Sequence, residues 1–94
     1  RLSFSFPGYH LTALKMSMPV CYQSVLSAHE GAEFAYVLSG KILYTIDGRQ
    51  YPLSAGDSVH FDAGKAHRLA NVGNDVAEML AITTLSLFDD HSTP

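Results

Sequence analysis

His29 and Glu33 stand four residues apart across Gly31, where the chain enters the apolar run from Phe34 to Leu38. An imidazole and a carboxylate at the mouth of a greasy strand need partners. They can share a metal ion, or they can satisfy each other by hydrogen bonding inside a pocket. A third group of the same kind, His67, follows the turn Asp62–Lys65, which contains Gly64. The chemistry available to this chain depends on whether these three side chains meet.

The elements that must position them read as strands. Arg1 to Phe6 alternates apolar and polar residues and is broken by Pro7-Gly8. From His10 to Met18, Leu14, Met16 and Met18 share one face while Lys15 and Ser17 take the other, and Pro19 stops the run. Cys21 to Ala28 is expected to resume extended structure. Phe34 to Ser39 is apolar on both faces, so it should be covered on both sides, by the core and by a second sheet or subunit. Gly40-Lys41 makes a tight joint into Ile42–Asp47. Asp47-Gly48 is the strongest hairpin signal in the chain and leads into Gln50–Leu53. Short strands follow at Ser58–Phe61 and His67–Val72, and a long one at Ala77–Leu87. Asp89–Pro94 reads as a polar tail. No run has helical period, so the pattern predicts an all-β antiparallel sandwich or barrel.

Ninety-four residues make one domain with one core, here taken as 1–88. The charged fraction is 16%, which suggests more than one buried layer of surface. A net charge of −3 with six Lys and Arg argues against nucleic-acid binding by this domain itself. No apolar run approaches the roughly 20 residues of a membrane span, and no leader of the secretory kind opens the chain. Cys21 is the single cysteine, so no internal disulfide can form, which fits a reducing cytoplasm. Beside Tyr22 it reads as a small, inert apolar residue. The start at Arg1 suggests a piece of something longer.

The stretch His29-Glu-Gly-Ala-Glu33 to Gly40, followed by Gly56, Asp62, Gly64, His67 and Asn71, resembles the paired motifs of the cupin superfamily. His29 falls on the second histidine of the first motif, Glu33 on its glutamate and Gly40 on its closing glycine. Gly56, Gly64, His67 and Asn71 are all in register with the second motif. Three positions depart: Ser27 replaces the first histidine, Cys21 the opening glycine and Asp62 the proline.

The resemblance implies a small double-stranded β-helix (jelly-roll) barrel in which His29, Glu33 and His67 converge near one open end. Such a set can hold Zn, Fe, Mn or Ni as the divalent ion and leave positions open. Serine is a poor ligand for these ions, so Ser27 leaves the usual fourth protein position to water, or the metal is absent. In the latter case the trio is a hydrogen-bonded cluster beside an organic ligand. With or without the metal, Ser27, Val37, Phe61 and Leu69 are expected around a ligand in the barrel lumen, the last three as core or pocket wall together with Met16 and Val25. His60 and Arg68 should point outward by alternation, while His10 and His91 have no partner at metal spacing. Asn71 is expected to order backbone.

Glu33-Phe-Ala-Tyr36-Val-Leu38-Ser-Gly40 and Gly56-Asp57-Ser58-Val59-His-Phe61 look much like the C-terminal cupin domain of helix-turn-helix transcriptional regulators. That likeness implies a small-molecule sensor, homodimeric through the doubly apolar strand, which meets DNA only through an upstream domain outside this chain. A mononuclear metal-dependent enzyme, oxygenase-like and acting on a small organic substrate, is the competing expectation. A metal-free barrel that dimerises its host is the third.

Overall fold

The computed structural model describes the backbone at residues 2–6 and 9–86, and side chains from 12 to 84. The expected tail 89–94, His91 and the Arg1 end lie outside the described residues. Eight strands and no helix make up the described chain: β1 (Leu2–Phe6), β2 (Tyr9–Met18), β3 (Ala32–Ser39), β4 (Lys41–Ile46), β5 (Arg49–Ser54), β6 (Ser58–Asp62), β7 (His67–Asn71) and β8 (Ala77–Ser86). A five-stranded sheet in the order β1-β2-β8-β3-β6 faces a three-stranded one in the order β5-β4-β7. Every pairing is antiparallel. This is the all-β antiparallel fold that the turn-punctuated sequence predicts, in the jelly-roll form that the resemblance implies.

Alternation decides what each sheet buries. From the large sheet, Met18, Ala35, Val37, Ala77, Met79 and Ala81 point inward. From the small sheet, Ile42, Tyr44, Ile46, Leu53 and Leu69 meet them in one cluster. Tyr44 is the largest of the wholly buried side chains.

Turn chemistry fixes the register. Asp47 and Gly48 both have positive φ, 52° and 80°, as the two central residues of a type I′ hairpin require. Gly40, at the β3–β4 joint, has φ +87°, and a Cβ there would lie 2.7 Å from that of Ala77. Only glycine fits that corner.

One expectation is corrected. The segment from Cys21 to Ala28 is not a strand: it touches the edge of β7 only through isolated bridges at Gln23–Ala70 and Ser27–His67. Cys21 takes φ 69° and breaks the extended path. Between the bridges, the amide of Leu69 donates to the Ser24 hydroxyl at 2.9 Å, a place that a backbone carbonyl would fill in a continuous ladder. As a result Val25 is 80% exposed and forms no pocket wall, and Cys21 is an exposed turn residue. β3 keeps its core face as expected, and no second sheet among the described residues covers the other. Its Ala35–Val37 face is core, whereas Tyr36 and Leu38 on the other face stay exposed within the single chain.

Candidate metal and ligand site

The three side chains singled out by their types converge, each brought by a different part of the fold. Glu33 lies on the inner face of β3, opposite Phe61 of β6 and Thr83 of β8. His67 opens β7 in the small sheet, opposite Ile46. His29 sits in the connection before β3. Its amide donates to the Ala63 carbonyl at 2.9 Å, and the Ala63 amide in turn donates to the Gly31 carbonyl at 2.9 Å. This exchange ties the His29 segment to the turn that delivers His67. Asp62 shapes that turn: its Oδ1 accepts from the Gly64 amide at 2.8 Å, and its carbonyl accepts from the Lys65 amide at 3.0 Å. An Asx turn thus stands where the resembling motif has proline.

Glu33 Oε1 lies 3.4 Å from His29 Nε2 and 3.6 Å from His67 Nε2. One donor atom from each residue falls within 4.8 Å of the others. The far side of each ring decides what those distances mean. His67 Nδ1 is 2.7 Å from the Lys65 carbonyl, and His29 Nδ1 is 3.1 Å from the Glu30 carbonyl. A carbonyl only accepts, so each Nδ1 carries the proton, and in the neutral ring each Nε2 presents a bare lone pair to Glu33. Three acceptors then face one centre. They need either a second proton on a ring or a cation between them. Two donors about 2.1 Å from one ion at a tetrahedral angle are about 3.4 Å apart, close to the two separations measured from Glu33 Oε1. The donor set and its outer hydrogen bonds therefore fit a divalent transition metal.

Burial grades the site from rim to floor. The His29 side chain is 44% exposed, Glu33 12% and His67 7%, so the centre opens to solvent at the His29 end. Phe61 packs edge-on against His67 at 4.9 Å and against Tyr44 at 5.6 Å between ring centroids. The Tyr44 hydroxyl donates to Glu33 Oε2 at 3.1 Å. Burial first, then the Glu33 charge and this hydrogen bond, push the Tyr44 phenol well above its ordinary value of 10.0, so it remains a proton donor.

Of the four residues expected around a ligand, Phe61 reaches the trio through its ring. Ser27 is exposed and meets His67 through paired backbone bonds of 2.9 and 2.8 Å. Val37 is wholly buried and Leu69 nearly so. His60 and Arg68 point outward and are exposed, as alternation predicts. Arg68 lines a pocket of about 150 Å³ on the outer face of the small sheet with Gln23, Thr45 and Gln50. Asn71 orders backbone: its Nδ2 donates to the carbonyls of Met18, Pro19 and Asp75, and its Oδ1 accepts from the Gly73 amide. Tyr44 is the residue that the sequence reading missed. Its signal is a phenol in the aliphatic row Ile42–Ile46, since a buried hydroxyl must find a partner.

Comparison with known proteins agrees with this fold. A family model described as a Cupin domain matches residues 16–83. The oxalate-binding protein of Thermotoga maritima is 35% identical over 72 residues, 76% of this chain and 60% of that protein. The HTH-type transcriptional regulator PuuR of Escherichia coli is 33% identical over 60 residues, 64% of this chain and 32% of the regulator. The chain thus spans less than two thirds of either relative. Among solved structures, a predicted oxalate decarboxylase from Thermotoga maritima superposes with a TM-score of 0.70 at 32% identity, covering 82% of this chain and 64% of the other.

Proposed function

The chain belongs to the cupin family, and from that premise we propose that it is a small-molecule-binding domain that captures its ligand at a metal held by His29, Glu33 and His67. The observation that carries this reading is the meeting of two Nε2 lone pairs with Glu33 Oε1 at 3.4 and 3.6 Å. A divalent ion there supplies a Lewis-acid centre with open positions. The protein gives it one carboxylate charge and two neutral imidazoles, so a net positive charge remains to attract a small organic anion. The His29 rim admits the ligand, and Phe61 offers an apolar wall. A short carboxylate is the class that suits this charge and size, and the name of the oxalate-binding relative supports it.

A sensing role fits better than catalysis. Glu33, the group that would move a proton, is already engaged by both histidines and by Tyr44. The likeness to part of a helix-turn-helix regulator supports a sensor whose DNA contacts lie in an upstream domain. Ligand binding would act by population shift, favouring one arrangement of a homodimer. The dimer would form through the outer face of β3 and β8, where Tyr36, Leu38 and Leu80 are exposed. In the cytoplasm such a domain would read metabolite levels. The enzyme reading rests on the same open positions and on the likeness to a predicted oxalate decarboxylase.

Calorimetry on the metal-loaded chain separates these. Oxalate should bind once per chain and emerge unchanged after prolonged incubation. Consumption of oxalate would favour the enzyme, and no binding of any short carboxylate would remove the ligand class.

A further inference from the structure

We propose that Tyr44 is a positioning residue for the metal centre: its hydroxyl holds Glu33 Oε2, so that Glu33 offers the ion a single oxygen, Oε1. The inference rests on the metal reading above and deepens it. A glutamate carboxylate rotates easily about its last torsion, which has broad wells. Left alone, Glu33 could turn its second oxygen toward the histidines and bind an ion through both.

The fold prevents that turn from the opposite sheet. Glu33 sits on β3 of the large sheet, and Tyr44 on β4 of the small one. Tyr44 is fixed on both flanks, opposite Tyr51 of β5 and Leu69 of β7. It is wholly buried, and the edge-on Phe61 ring lies 5.6 Å away. Its hydroxyl donates to Oε2 at 3.1 Å, while Oε1 faces the two Nε2 atoms at 3.4 and 3.6 Å. The two oxygens of Glu33 are therefore divided between two tasks. The carboxylate stays monodentate, and one more position is left for a ligand. Outer partners of this kind typically carry about 10–100-fold in metal affinity.

The test is a Zn(II) titration against a chromophoric chelator, on wild type and on Tyr44→Phe, with the melting temperature of each metal-free protein measured alongside. Phenylalanine keeps the ring and removes only the hydroxyl. Zn(II) should bind about 10–100-fold more weakly to Tyr44→Phe. Equal affinity, with or without a drop in melting temperature, would reduce Tyr44 to a packing role and overturn the inference alone. A wild-type chain that takes up no ion would remove the metal reading and the inference with it. A measurement on wild type guards against a variant that fails to fold. In the Zn(II)-loaded protein, the Tyr44 hydroxyl proton should appear by NMR as a slowly exchanging resonance with contacts to its own ring. Its loss on metal loading would mean that the bond is given up when the ion enters, which contradicts the proposal.

Discussion

The carbonyl of Lys65 lies 2.7 Å from Nδ1 of His67, two residues further along the chain. The turn that precedes β7 therefore sets the tautomer of the histidine that opens it. Because that proton sits on Nδ1, the side of the ring facing Glu33 is free to ligate, and the turn prepares the site before any ligand arrives.

Gly40→Ala tests the corner between β3 and β4. The added Cβ would meet Ala77 Cβ at 2.7 Å and Ala77 Cα at 2.9 Å, with φ at +87°. Backbone strain and crowding together should cost about 2–4 kcal/mol. Urea unfolding measures it, and a change under about 0.5 kcal/mol, the level of an ordinary surface substitution, would contradict the account.

Asn71→Ala should be similarly harmful without touching the metal. It leaves the Met18, Pro19 and Asp75 carbonyls without their side-chain donor and the Gly73 amide without its acceptor. The expected loss is about 1–3 kcal/mol, as for buried groups stripped of partners. Chemical denaturation with metal affinity measured in parallel checks it. Altered affinity in a folded variant would give Asn71 a role in the site.

These two residues show what the sequence made legible. Gly40, Asp47-Gly48 and Asn71 act through local backbone geometry, which residue type signals directly. The trio His29, Glu33 and His67 was legible as a set of candidates by residue type, and its convergence through the resemblance to the cupin motifs. The segment from Cys21 to Ala28 was not, because its alternation looks extended while the Ser24 hydroxyl takes the Leu69 amide from across the fold. Tyr44 was hidden for a related reason. Its partner Glu33 is 11 residues away and belongs to the other sheet, a pairing that no local pattern encodes.

Exposure of the outer face of β3 leads to an association prediction. Tyr36 and Leu38 are each 37% exposed and Leu80 is 36% exposed. Tyr36 lies directly opposite Leu80, so one apolar patch continues across two strands. Light scattering should report a dimer that Tyr36→Glu weakens toward monomer, since the change places a charge in an apolar contact. A wild-type protein that stays monomeric at high concentration would refute this.

Tyr44 also makes stability depend on alkaline pH. Its folded phenol titrates above the ordinary 10.0 because of burial and the Glu33 charge. The folded state therefore holds a proton that the unfolded state has released. By linkage, the contribution is full below pH 10 and is lost as pH rises beyond it. Melting curves from pH 8 to 11 should show wild type falling relative to Tyr44→Phe above pH 10. A constant gap between the two would contradict the shift.

The central claim is best tested by elemental analysis of the purified chain after equilibration with Zn(II), Mn(II), Fe(II) or Ni(II) and removal of excess. One ion per chain is expected for at least one of these metals, and His67→Ala, though folded, should retain almost none. A folded wild-type protein that holds no metal under any of these conditions, or a His67→Ala variant that holds it equally well, would contradict the claim.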